Sequence, residues 1–121
     1  MKKYFVLLCA VAAFAACGGG NQPKQAPGTI AVDPVVQQGK DLITKSDCRT
    51  CHQDETKLIG PAYKDVANKY AASDSMVTHL AGKIITGGTG VWGNVAMTPH
   101  PALSKADAET MLKYIFSLKT N

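Results

Sequence analysis

The sequence predicts a small domain built from helices, and three observations predict it. Three stretches carry apolar residues at helical spacing behind a capping residue, and a shorter helical stretch follows Gly60-Pro61. The chain's 121 residues allow one domain at most, besides an N-terminal segment of different character. Between the first two helical stretches stands Cys48-Arg49-Thr50-Cys51-His52, with no βαβ context around it.

A Cys-x-x-Cys-His run reads as a c-type haem attachment site. Two thiols three residues apart reach the two vinyl groups on one edge of a porphyrin and form thioethers. The next residue then falls under the iron, where an imidazole nitrogen binds it. The alternatives are half a zinc site, a redox dithiol, or a chance occurrence of the motif. Zinc would need two more ligands from a second pair, yet the other cysteines, Cys9 and Cys17, lie in an N-terminal export segment. A thioredoxin-like dithiol would want the βαβ context that is missing.

Lys2 and Lys3 form a positive n-region, and Tyr4 to Ala16 an apolar h-region ending in small residues. This is a secretory signal, too short for a membrane-spanning helix. Phe14-Ala15-Ala16-Cys17 resembles a bacterial lipoprotein signal, in which the cysteine becomes the lipidated first residue, although Phe14 stands where Leu is usual. The alternative is ordinary cleavage after Ala13-Phe14-Ala15, which leaves a soluble periplasmic protein. Gly18 to Val32 is rich in Gly, Pro, Asn and Gln, few of which join a core, and reads as a flexible linker. The expected order is a signal peptide over 1–16, a lipid-anchored linker over 17–32 and a folded domain over 33–121.

The first helix opens at Asp33-Pro34, with Asp as N-cap and Pro at the first helical position, where no amide is missed. Val35, Val36, Gly39, Leu42 and Ile43 form its apolar stripe. Gly39 on that stripe lets another helix approach closely. The helix runs to about Ser46 and delivers the chain to Cys48. After a polar loop, Pro61 stops any preceding helix and fixes the direction of its own carbonyl. A haem-ligating histidine needs its second ring nitrogen held by an acceptor, and the Pro61 carbonyl is the candidate for His52. A Gly60-Pro61 turn without that role is the alternative. A short helix then covers about Tyr63 to Tyr70.

Ser73 or Asp74 caps the third helix, with Met76, Val77, Leu80, Ile84 and Ile85 on its buried side and Gly87-Gly88 at its end. His79 reads as a surface or packed histidine rather than a ligand. Val91 to Pro101 is expected to be a non-helical, apolar loop containing the single Trp, Trp92. A thioether in such a loop, Met97, suits the sixth position of the iron. Its competitor is His100, three residues on, whereas Met76 and Met111 lie on amphipathic helices and read as core. Ser104 caps the last helix, with Asp107 at the capping-box position and Glu109 near the positive end. Ala108, Met111, Leu112, Ile115, Phe116 and Leu118 give it an apolar face.

The formal net charge of +4 overstates the basicity of the domain. Without Lys2 and Lys3, Lys plus Arg falls from 13 to 11 against 9 acids, which leaves +2. Two haem propionates bring the holoprotein close to neutral, no footprint for nucleic acid. A domain of this size buries a modest fraction of its surface, and a covalently held macrocycle supplies the centre of its core.

With these residues in place, the chain resembles the class I cytochromes c of the short bacterial periplasmic type, over about Asp33 to Lys119. The resemblance rests on Cys48-x-x-Cys51-His52, Gly60-Pro61-Ala62-Tyr63-Lys64-Asp65-Val66-Ala67, Gly90-Val91-Trp92-Gly93, Met97 with Pro99, and the closing helix to Ser117-Leu118-Lys119. It implies an all-α fold packed around one covalent haem c, with N- and C-terminal helices crossing so that Gly39 and Ile43 meet Met111 and Tyr114. It implies His52 and Met97 as axial ligands of the iron, the Pro61 carbonyl on the His52 ring, and Trp92 reaching a haem propionate. The family often has an Asn just after the ligand Met, near its sulfur. This chain has His100 there, and Ala96-Met97-Thr98 where prolines are common.

Iron with two protein ligands has no open position, so the expected role is that of a one-electron carrier and not an enzyme. A thioether ligand raises the potential relative to two imidazoles. The expected partners are redox proteins: a membrane dehydrogenase or cytochrome complex as donor, and a terminal reductase, oxidase or peroxidase as acceptor. Electrons should leave at the thioether edge, framed by Thr50, Cys51, Pro61, Val91 and Met97, with Lys57, Lys64 and Lys83 as a charged rim. A gas sensor or haem enzyme would result if Met97 dissociates easily. A fixed subunit of a respiratory complex is the other alternative.

Overall fold

The computed structural model describes residues 32–120. The expected signal peptide, the lipidation site Cys17 and nearly all of the linker lie outside the described residues. Four α-helices and a small hairpin follow in chain order: α1 (Pro34–Lys45), a 3-10 turn (Asp47–Thr50), α2 (Tyr63–Lys69), α3 (Asp74–Thr86), β1 (Gly88–Gly90), β2 (Gly93–Met97) and α4 (Lys105–Ser117). Among the described residues, no helix is long and apolar enough to cross a membrane.

The helix starts follow local chemistry. Asp33 accepts from the Val35 N–H at 2.8 Å, and Pro34 follows it at the first helical position. Ser73 accepts from the Met76 N–H, and Ser104 from the Asp107 N–H at 3.0 Å. At α4 the capping box takes a variant form: Ser104 Oγ donates to the Asp107 carboxylate at 2.7 Å. Lys45 is the last residue of α1, and Ser46 turns its hydroxyl back to the Leu42 carbonyl at 2.8 Å, which ends the helix just before the cysteine motif.

α4 is the centre of the core. Met111 and Leu112 on it and Ile43 on α1 are the largest fully buried side chains, with Ala108, Tyr114, Ile115 and Phe116 around them. Burial of each large apolar side chain contributes about 1.5–3 kcal/mol. The close approach expected at Gly39 is present. A Cβ there would overlap the Thr110 carbonyl oxygen and lie 2.9 Å from Tyr114 Cβ, so α1 and α4 touch backbone to backbone at that point.

The region expected to be a plain loop is instead an antiparallel hairpin, with Gly88 opposite Met97, Gly90 opposite Gly93 and an irregularity between the pairs. Gly90 and Gly93 flank Val91-Trp92 with positive φ, a backbone that favours glycine at both positions. Three of the eight strand residues are glycines, so the hairpin carries no alternating apolar pattern to read. Its consequence is positional. Met97 ends β2 with its backbone set by register rather than by a free loop.

Candidate functional site

The attachment turn is built from short-range hydrogen bonds. The Cys48 carbonyl accepts from the Cys51 and His52 amides at 3.2 and 3.0 Å, which winds the five-residue motif into one turn at the end of α1. The residues between the cysteines are not passive. Arg49 pairs with Asp54 at 3.0 Å, and its guanidinium lies 5.7 Å from the centre of the Tyr63 ring. Asp54 also accepts from the Tyr114 hydroxyl at 2.9 Å, so the turn is fastened to α4 through one carboxylate. Burial first, and then the hydrogen bond to Asp54, pushes the Tyr114 phenol above its usual pKa.

His52 is held on three sides. Its Nδ1 lies 2.7 Å from the Pro61 carbonyl oxygen, which only accepts, so Nδ1 carries the proton and Nε2 keeps its lone pair. Tyr63 stacks on the imidazole with centroids 5.3 Å apart and 14° between planes. Gly60 lies against the ring so closely that a Cβ would overlap His52 Cε1. The Gly60 amide in turn donates to the Cys51 carbonyl at 2.8 Å, closing the loop on the motif. Gly60, Arg49, Asp54 and Tyr114 carried no site role in the sequence reading; only the position of Gly60 beside Pro61 signalled anything.

One cavity of about 630 Å³ gathers the expected site residues: Cys48, Cys51, His52, Pro61, Trp92 and Met97 all line it. Apolar groups from α1, α3 and α4, among them Ile43, Leu80, Ile84 and Met111, form its floor. Trp92 is edge-on to Tyr70, centroids 6.4 Å apart, and Lys69 Nζ lies 5.0 Å from the indole centre. Lys57 and Lys83 stand among the lining residues, whereas Lys64 is engaged with Glu55 at 2.9 Å. His79 is exposed on α3 beside the cavity. His100 lines it too, but both ring nitrogens face other acceptors, the Ile84 carbonyl at 3.3 Å and Asp47 at 3.0 Å.

The donor set argues against the two alternatives to haem. Among the described residues, no three His, Cys, Asp or Glu side chains form a metal cluster, so zinc finds no ligand set. Burial, followed by the Asp47 charge, pushes the Cys48 thiol up, the opposite of what a reactive dithiol requires.

A sequence model of the Cytochrome c family matches residues 36–119. The chain belongs to the cytochrome c family. This cytochrome is 46% identical over 94 residues to cytochrome c-552 of Nitrosomonas europaea, covering 78% of this chain and 91% of that protein. It is 42% identical over 94 residues to cytochrome c-551 of Pseudomonas aeruginosa, covering 78% of this chain and 85% of that one. The crystal structure of wild-type Nitrosomonas europaea cytochrome c552 superposes with a TM-score of 0.62 at 50% identity, over 66% of this chain and 99% of that chain. The fold is that of the class I cytochromes c with one short hairpin, and the cofactor is a single covalently bound haem c with its iron.

The cavity fits that group on the chain's own geometry. Both thiols are free and lie in its wall, an imidazole with an available Nε2 lies beside them, a thioether lines the same space, and the remaining lining is mostly apolar. A volume of about 630 Å³ falls in the range of ligand pockets.

Proposed function

We propose that this cytochrome is a one-electron carrier between respiratory redox proteins outside the cytoplasmic membrane, with His52 and Met97 as the axial ligands of its iron. The observation that supports the reading is the 2.7 Å contact between His52 Nδ1 and the Pro61 carbonyl, which leaves Nε2 available as a ligand atom. When bound, the haem iron supplies reversible one-electron oxidation and reduction. Cys48 and Cys51 hold the macrocycle by thioethers, and Pro61, Tyr63 and Gly60 fix the His52 ring, so little protein reorganises when charge changes. Met97 is the second ligand; a thioether there raises the potential relative to a second imidazole. His52 and Met97 would together hold the iron and leave no place on it for substrate, so the proposed role is that of a carrier and not an enzyme. Trp92 is assigned to a haem propionate.

Its partners under this reading are a membrane dehydrogenase or cytochrome complex as donor and a terminal reductase, oxidase or peroxidase as acceptor. Residues 1–16 act as the signal peptide, Cys17 carries the lipid and 17–32 form the tether. Spectra of the ferric and ferrous protein test the ligand set. A ferric far-red thioether band, lost in Met97→Ala and retained in His100→Ala, supports it; the reverse pattern overturns it.

A further inference from the structure

His100 stands between Pro99 and Pro101, three residues beyond Met97, and its ring spans two elements. Nε2 lies 3.0 Å from Asp47 Oδ1 and Nδ1 lies 3.3 Å from the Ile84 carbonyl oxygen. The main-chain N–H of His100 is shared between the Ile84 and Ile85 carbonyls at 3.2 and 3.1 Å. Both ring partners only accept, so a neutral ring makes one of these hydrogen bonds and the imidazolium makes both. The carbonyls belong to the last turn of α3, where a donor ring satisfies groups the helix leaves open. Asp47 is the residue immediately before Cys48 and starts the turn that carries it.

The segment from Met97 to His100 is therefore held at both ends. At one end Met97 pairs with Gly88, and a Cβ on Gly87 would overlap the Met97 carbonyl oxygen and lie 3.0 Å from the Pro99 nitrogen. Gly87 has φ +68°, so the close approach depends on its being glycine. At the other end the hold is His100. A methionine sulfur leaves an iron more easily when its backbone segment can give way, and loss of one of the two holds eases that opening.

We propose that His100 is a positioning residue for Met97: paired with Asp47, it braces the Met97 segment against the turn that carries Cys48. The inference rests on the reading of Met97 as the sixth ligand. The His100 side chain is 18% exposed and that of Asp47 is 74% exposed. A pair so open contributes little to global stability, so its effect is local, on the opening of this one segment.

The test uses ferric holoprotein and free imidazole as the displacing probe, followed through the loss of the thioether band. His100→Ala and Asp47→Ala should each speed displacement by about two- to fivefold, the order expected for a pair with one partner exposed. The double variant should be no faster than His100→Ala alone, because the two substitutions remove the same contact. Asp47→Ala changes an exposed side chain and keeps the test open if His100→Ala folds poorly. Unchanged rates in both single variants, or effects that multiply in the double variant, overturn the brace while Met97 stays the ligand. A thioether band that survives in Met97→Ala overturns the ligand reading, and the brace with it.

Discussion

Gly60 and His52 occupy the same small volume: the ring covers the glycine so closely that one added methyl would overlap Cε1. Glycine is therefore required there by the histidine, not by the turn. Gly60→Ala should move the imidazole or open the loop, at a cost of about 1–3 kcal/mol, the usual range for overpacking. Gly82→Ala, where nothing lies within 4 Å in α3, should be neutral or add about 0.5–1 kcal/mol through helix propensity. Thermal unfolding of the two holoproteins compares them directly. Equal stabilities would mean that the loop yields freely.

Attachment and folding should fail together. Cys48→Ala combined with Cys51→Ala removes both thioether donors, and Ile43, Leu80, Met111 and Leu112, which line the cavity, then lose a covalently fixed surface to pack on. The expected product is a chain with weak helical circular dichroism and a broad thermal transition. A cooperative, fully helical double variant would show that the protein core suffices.

Met111 is almost fully buried on α4, in both the core and the cavity wall. Met111→Ala should cost about 2–5 kcal/mol, with the thioether band of Met97 retained. A variant that lost the band without loss of stability would reassign the sulfur ligand.

Alkaline pH should weaken the link between α4 and the attachment turn. The Tyr114 phenol, 2.9 Å from Asp54, has its pKa raised above 10.0 by burial and by that hydrogen bond. The folded state thus favours the neutral phenol: this contribution is fully present below pH 10 and is lost as pH rises through the folded pKa. Tyr114→Phe should lower stability at neutral pH by about 0.5–1.5 kcal/mol and flatten the alkaline decline. Denaturant midpoints across pH for both proteins measure it. Parallel curves would remove Tyr114 from the linkage.

Cys17→Ser should move the protein from the membrane to the soluble fraction with an unchanged haem spectrum. Stable anchoring takes more than one acyl chain, as bacterial lipoproteins carry. A soluble wild type whose mature N-terminus is not Cys17 would favour plain cleavage.

What the sequence determined by itself is local. Asp33-Pro34, Ser73 and Ser104 start their helices because each cap acts within three residues, and the apolar stripes name Ile43, Leu80, Met111 and Leu112 as core for the same reason of short period. Cys48, Cys51 and His52 declared the cofactor because thioether attachment imposes the spacing. The tertiary structure decided what depends on residues far apart in the chain. The Asp54–Tyr114 bond spans 60 residues and the Asp47–His100 bond spans 53, and neither leaves a periodic trace. The hairpin was hidden by its glycines, which mark turns without saying which strands they join. His100 was a competing ligand in the sequence; only its placement against Ile84 and Asp47 turned both ring nitrogens elsewhere, because hydrogen-bond partners are chosen by the fold and not by proximity in the chain.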